Sequence, residues 1–227
     1  MGSGDVLPVK YEHVYASQEK YNLEVVKLSL DGEFDEREAL ENGWLIYNGV
    51  WFQCRSVRIK VDEFRPKELP DELGWYHQNT PPAAVDRIYE SYIAHKGFDR
   101  NPWPVWRDWR ATYIVISNEY APVAFTKLNH YCWGLEAQLT AWDYHKPKLS
   151  VGKLIVSKEV EIAQRLGYSH LYIGEGCEAG SIYKADFGGF EWWTGSRWST
   201  DREEYKRLCA RDSAVTSIAD LSRVFNE

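Results

Sequence analysis

Cysteine is sparse and scattered in this chain of 227 residues. Cys54, Cys132, Cys177 and Cys209 form no C-x-x-C pair and lack the density of a disulfide scaffold, so reduced, buried thiols are expected. Long apolar runs are missing too. No stretch approaches the roughly 18 to 20 residues that span a bilayer, so no membrane partner is expected. The opening Met1-Gly2-Ser3-Gly4-Asp5 has neither the basic nor the apolar region of a signal peptide, and the expectation is an intracellular, cytoplasmic protein. Positive charge is in deficit: 27 Lys and Arg against 34 Asp and Glu leave a formal net charge of −7, so no global field holds nucleic acid non-specifically. Internal repeats are absent. The six histidines show no H-E-x-x-H or Cys/His ligand spacing, so no metal site is expected. Neither a G-x-S-x-G elbow nor a G-x-x-x-x-G-K-[ST] loop occurs.

What remains is a globular composition, 44% hydrophobic and 27% charged, with enough length for one large domain or two small ones. Eleven Trp and fifteen Tyr supply planar surfaces that stack bases or fill a core. A proline-rich stretch from Pro66 to Pro104 predicts a domain connection, dividing the chain into 1–105 and 106–227. Before it, Asp35 to Asn42 reads as a short helix ended by Gly43, and Val50 to Val61 as one strand entered through an Asn48-Gly49 hairpin turn. Asp86 to His95 reads as a helix with Ile88, Tyr89, Tyr92 and Ile93 on its apolar face. Three antiparallel strands follow, Tyr113 to Ser117, Ala121 to Leu128 and Gly134 to Tyr144, with a turn at Asn118-Glu119. A helix from Val151 to Leu166, burying Leu154, Ile155, Ile162 and Leu166 and closed by Gly167, leads to a strand at Ser169 to Ile173. Strand, helix and strand in that order make a βαβ crossover, whose carboxyl strand ends border ligand sites. Asp201 to Arg211 and Ser217 to Val224 read as closing helices.

Two segments hold candidate chemistry. Ser150-Val151-Gly152 opens the crossover helix, where unpaired N–H groups bind anions, although the same residues also make an ordinary serine cap with a nearby glycine turn. Gly174 to Trp193 is rich in glycine and functional side chains together. Arg100, Arg107 and Arg110, interleaved with Trp103, Trp106 and Trp109, read either as a base-stacking, phosphate-binding patch or as a tryptophan-rich packing segment.

The order of these residues resembles the arginyl-tRNA-protein transferases over most of the chain. The similarity runs through Ser150-Val151-Gly152 and its helix, Tyr168 to Gly174, Tyr183-Lys184-Ala185-Asp186-Phe187 and Gly195-Ser196-Arg197-Trp198. Upstream it includes Glu41-Asn42-Gly43-Trp44 and the run from Cys54 through Arg55 and Arg58 to Phe64. Only Cys54 stands where that family has an amino-terminal cysteine pair.

The resemblance implies an α+β, GNAT-like fold: a mixed, mostly antiparallel sheet flanked by helices, with a small N-terminal α/β subdomain. The activity implied is transfer of an amino acid from aminoacyl-tRNA to an acceptor amine, on a protein or a small molecule, by direct aminolysis in the cleft and with no cofactor. The positions of the acetyl-CoA pyrophosphate motif fall on Leu149, Gly152 and Leu154, and two of the three depart from it. That favours tRNA over acyl-CoA as donor. The alternatives are an N-acyltransferase of the same fold that uses acyl-CoA or another donor on a small molecule or nucleobase amine, and a non-catalytic binding module.

Aminolysis needs a proton acceptor, expected at Glu136 or Asp143, and donors for the oxyanion. Tyr183 with Lys184 is expected to supply orientation or charge stabilisation, and Ser150, Val151 and Gly152 the 3′-end cradle. Tyr172 and Asp186 are expected to frame the amino-acid pocket, and Arg55, Arg58, Arg107 and Arg110 to contact nucleic acid.

Overall fold

The computed structural model describes residues 9–12, 27–30, 35–47, 50–97, 111–144, 150–177, 179–215 and 220. Contacts divide the chain into two compact units, residues 1–58 with 174–227 and residues 59–173. These boundaries differ from a cut at 105/106, and the described part of the proline-rich stretch carries a strand and a helix of the second unit.

In the first unit, β1 (Val9–Glu12), β2 (Lys27–Leu30), β3 (Trp44–Tyr47) and β4 (Val50–Gln53) form an antiparallel sheet in the order β1-β2-β4-β3. Helix α1 (Glu36–Glu41) is short, yet both ends are specified. The Asp35 side chain accepts from the Glu38 N–H at 3.1 Å, acids at Glu36 and Glu38 face the positive helix end, and Gly43 turns out at φ +76°. A Cβ on Gly43 would overlap the Trp193 indole, so this position is held by close approach as well as by backbone conformation. Strand β5 (Ser56–Lys60) starts in this unit. The expected single strand from Val50 to Val61 is therefore two, broken at Cys54-Arg55, with β4 paired to β2 and β3. The glycine-rich segment is ordered as a 3-10 helix, Ala179–Asp186, followed by the hairpin β11 (Phe190–Trp193) and β12 (Trp198–Ser199). Helix α4 (Arg202–Ser213), capped by Asp201, grips the 3-10 helix: the Tyr205 hydroxyl donates to the Ser181 carbonyl at 3.1 Å, and Arg202 donates to the carbonyls of Ala185 and Phe187.

The second unit holds β6 (Leu73–Gln78), α2 (Val85–Lys96), β7 (Thr112–Asn118), β8 (Pro122–His130), β9 (Gly134–Trp142), α3 (Val151–Arg165) and the start of β10 (His170–Glu175). Strand order is β10-β9-β8-β7-β6, antiparallel except for the parallel β9/β10 pair. The α2 residues Val85, Ile88, Tyr89 and Ile93 pack on Tyr113, Phe125 and Ala141. Residues of the other parity, Ile114 and Ile116, are equally buried because α3 covers that face, where the Thr140 hydroxyl donates to Glu159 at 3.4 Å. The Asn118 side chain makes the expected turn by accepting from the N–H groups of Tyr120 and Ala121. Gly167 closes α3 at φ +73° as expected, but Leu166 does not join the buried face: it stands at the C-cap, 51% exposed. The Asn48-Gly49 turn and most of the helix expected at Ser217 to Val224 lie outside the described residues.

Candidate active site

Strands β9 and β10 are paired over only three positions, His170 with Gly134, Leu171 with Leu135 and Tyr172 with Glu136. Beyond that point β9 continues to Trp142. The β8/β9 register also shifts there: Lys127 faces Leu139 and Leu128 faces Ala137, so Gln138 is an extra residue, a β-bulge. Bulges kink a strand and re-aim its side chains, and this one coincides with the end of the parallel ladder.

Glu136 sits at that end and is 3% exposed. Its Oε2 accepts from the Tyr131 hydroxyl at 2.6 Å and from Asn129 Nδ2 at 3.2 Å. Tyr172, its cross-strand partner, is equally buried and meets the Tyr131 ring edge to face at 6.3 Å. A Cβ on Gly134 would come within 2.8 Å of the Tyr172 ring, so Gly134 admits the tyrosine. Next to them the buried Lys127 ammonium donates to Gln138 Oε1 at 2.7 Å. A carboxylate fixed by two donors inside the fold is a pre-oriented proton acceptor.

Asp143, just past β9, is differently engaged. Its carboxylate accepts from Arg87 at 2.8 Å and from the Ser91 hydroxyl at 3.2 Å, tying α2 to the end of the strand. Nearby, the start of α3 is not an ordinary serine cap. Ser150 lies at φ +48° and its side chain makes no cap hydrogen bond, while its carbonyl accepts from Lys153 and Leu154. Gly152 faces the Trp142 ring, where an added Cβ would come within 2.8 Å. Around Trp142 stand Tyr92 at 4.9 Å and Tyr144 at 5.2 Å between ring centroids, and His95 stacks on Tyr144 at 3.4 Å.

In the first unit the Lys184 ammonium donates to the Glu175 carbonyl at 2.5 Å, fixing the end of β10, and Tyr183 packs edge to face on Phe187 at 5.9 Å. Asp186 is exposed, 3.7 Å from Lys206. Two arginines expected to contact nucleic acid are used inside the fold. Arg58 pairs with Glu191 at 2.8 Å beneath the Trp198 ring, and Arg55 pairs with Asp212 at 2.8 Å and donates to the Gly176 carbonyl. Arg100, Arg107 and Arg110 lie outside the described residues. Three thiols also gather in this unit. A hydrogen bond with Cys177, then burial, pushes the Cys54 thiol well above its ordinary range; burial raises Cys209, which donates to the Gly176 carbonyl at 3.0 Å. Among the described residues no three His, Cys, Asp or Glu side chains converge as metal ligands would, and no helix is long and apolar enough to cross a membrane.

Of the expected site residues, Glu136 and Tyr172 are brought together, Ser150 to Gly152 abut Trp142 next to Asp143, and Tyr183, Lys184 and Asp186 share one 3-10 helix. Sequence reasoning passed over Tyr131, Asn129, Lys127 and the Tyr92, His95, Trp142 and Tyr144 group. The i, i+3 spacing of Tyr92 and His95 was the available signal for the aromatic group; the polar run in β8, Thr126-Lys127 and Asn129-His130, gives no alternation to read.

An antiparallel sheet extended by one parallel strand through a crossover helix, with a buried acid where the parallel pairing stops, is a mixed α+β architecture. No family model matches the chain. It is 26% identical over 168 residues to an aspartate/glutamate leucyltransferase from Chromohalobacter salexigens, covering 64% of this chain and 68% of that one. It is 37% identical over 171 residues to an aspartate/glutamate leucyltransferase from Alkalilimnicola ehrlichii, covering 65% and 70%. Among solved structures it is similar to a GCN5-related N-acetyltransferase from Kribbella flavida, with a TM-score of 0.40 and 13% identity, over 54% of this chain and 48% of that one. The chain belongs to the aspartate/glutamate leucyltransferase family and is an aminoacyltransferase.

Proposed function

We propose that this protein transfers leucine from leucyl-tRNA to the α-amine of proteins that begin with aspartate or glutamate, in the cytoplasm. The observation that carries the reading is the 37% identity to a leucyltransferase named for those acceptors. The sequence resemblance left the transferred amino acid open, and leucine is the choice this likeness supports.

The neutral acceptor nitrogen attacks the aminoacyl ester carbonyl, the ester C–O bond breaks as a proton passes from that nitrogen to the departing ribose oxygen, and an amide and a tRNA with a free ribose hydroxyl result. The ammonium form of the acceptor must lose a proton, and we assign that proton to Glu136, whose carboxylate two donors already orient. Asp143 is occupied by Arg87 and Ser91, which makes it the weaker choice. Tyr172 would wall the leucyl pocket with an apolar face, as an apolar side chain requires. Lys184 would act as a positioning residue for the end of β10 through its bond to the Glu175 carbonyl, with Tyr183 and Asp186 on the same 3-10 helix. Ser150, Val151 and Gly152 would face the donor's 3′ end.

The test offers purified protein each of leucyl-, arginyl- and phenylalanyl-tRNA with peptides beginning in Asp, Glu, Lys or Ala. Leucine appearing on the Asp and Glu peptides alone is expected. Transfer of arginine in preference to leucine, or no dependence on the first residue, would overturn the reading.

A further inference from the structure

Four aromatic rings gather at the end of β9. Tyr92 meets Trp142 edge to face at 4.9 Å and Tyr144 at 6.2 Å, Trp142 meets Tyr144 at 5.2 Å, and His95 stacks on Tyr144 at 3.4 Å. His95 is exposed and the other three rings are part-exposed, so faces of this cluster meet solvent. The Lys96 ammonium lies over the Trp142 ring at 6.0 Å, and Gly152 brings the backbone of α3 against the same ring. Part-exposed rings beside a cation form the surface on which unpaired bases stack with little dependence on sequence. Trp142 stands six positions after Glu136 on β9, and with Gln138 bulged out that is about 17 Å along the strand. That exceeds one nucleoside, so a base stacked here belongs upstream of the ester-bearing adenosine.

We propose that Tyr92, His95, Trp142 and Tyr144 form a stacking platform for an unpaired base upstream of the terminal adenosine in the donor tRNA's 3′ end, with Lys96 beside its phosphate. The inference rests on the tRNA-dependent reading above and deepens it. It is measured by binding, so its failure is separable from that of leucyl transfer.

The experiment measures Kd of uncharged leucine tRNA, intact and with its last three nucleotides removed, for wild type, Tyr144→Leu, Tyr144→Phe and His95→Ala. The expected result is an affinity for intact tRNA about tenfold lower in Tyr144→Leu, equivalent to about 1.4 kcal/mol, and near wild type in Tyr144→Phe. Trimmed tRNA should bind wild type and Tyr144→Leu alike. His95→Ala, at an exposed side chain, keeps the test available should Tyr144→Leu fail to fold, and should weaken intact tRNA several-fold. Unchanged affinity in the variants that fold, or an equal loss for trimmed tRNA, would overturn the platform. Wild type that binds tRNA through the platform but fails to transfer leucine would refute the proposed activity alone.

Discussion

Replacing Glu136 with glutamine separates the shape of this side chain from its charge. In the native fold Oε2 accepts two hydrogen bonds, from Tyr131 at 2.6 Å and Asn129 at 3.2 Å. The amide oxygen of glutamine takes both, so the cost to stability is the difference between charged and neutral acceptors, about 1 kcal/mol. For a chain of this size that lowers the melting temperature by roughly 2–4 °C. The cost to chemistry is larger. A positioned general base contributes about 10²–10⁴ in rate, which corresponds to roughly 2.7–5.4 kcal/mol of barrier.

Single-turnover transfer from leucyl-tRNA to an Asp-initiated peptide, with enzyme in excess, reads that step directly. E136Q is expected to fold, to bind leucyl-tRNA as wild type does and to transfer at least about 100-fold more slowly. Glu136→Ala serves as the contrast, because it leaves the buried Tyr131 hydroxyl without its acceptor and costs about 1–3 kcal/mol in stability as well. A rate within threefold of wild type in E136Q would refute the assignment of the proton to this carboxylate.

Arg58 and Glu191 are 7% and 9% exposed, so Arg58→Met is expected to strand a buried carboxylate and lose about 3–5 kcal/mol in urea unfolding, most of it regained by Arg58→Met with Glu191→Leu; a single-variant loss below about 1 kcal/mol would contradict this. Stability should fall with rising pH above about 9, the ordinary thiol value. Cys54 (through Cys177, then burial) and Cys209 (through burial) keep their protons in the folded state, while the unfolded chain releases them. The loss runs from the ordinary thiol value up to each thiol's raised folded value, and the burial-raised Tyr205 adds to it above about 10; urea midpoints flat from pH 8 to 10.5 would refute the raised thiols. Gly152→Ala places a Cβ 2.8 Å from the Trp142 ring and should cost about 1–3 kcal/mol while weakening tRNA binding, and wild-type values for both would show that Trp142 yields freely.

Elements whose ends are decided within a few residues were legible in the sequence. Asp35 and Gly43 bracket α1, Asn118 makes its turn with two backbone N–H groups, and Gly167 ends α3 with a positive φ. Elements decided by distant pairing were not. Leu73-Gly74-Trp75-Tyr76-His77-Gln78 has neither alternation nor strand-forming composition, with only Leu73 buried, and becomes β6 because it pairs with β7 at six successive positions. The run from Val50 to Val61 has the composition of one strand, and nothing local marks Cys54-Arg55 as the place where it divides.

The site was half legible for a related reason. An unbroken strand from Gly134 to Tyr144 would place Glu136 and Thr140 on one face. That face belongs to α3, whose buried Glu159 already takes the Thr140 hydroxyl. The extra residue at Gln138 reverses the sense of everything before it, because a shift of one position exchanges the two faces of a strand. Glu136 then shares a side with Leu139 and Ala141, opposite Asn129 in the register, and within reach of Tyr131. The bulge thus keeps two buried acids on opposite faces of the sheet, Glu159 beneath the crossover helix and Glu136 on the side of Lys127 and Tyr172, at the position where the parallel ladder stops. A sequence motif can mark Glu136 as an acid on a strand, but the chemistry open to it depends on which face it occupies, and that follows from one unpaired residue in the β8/β9 ladder.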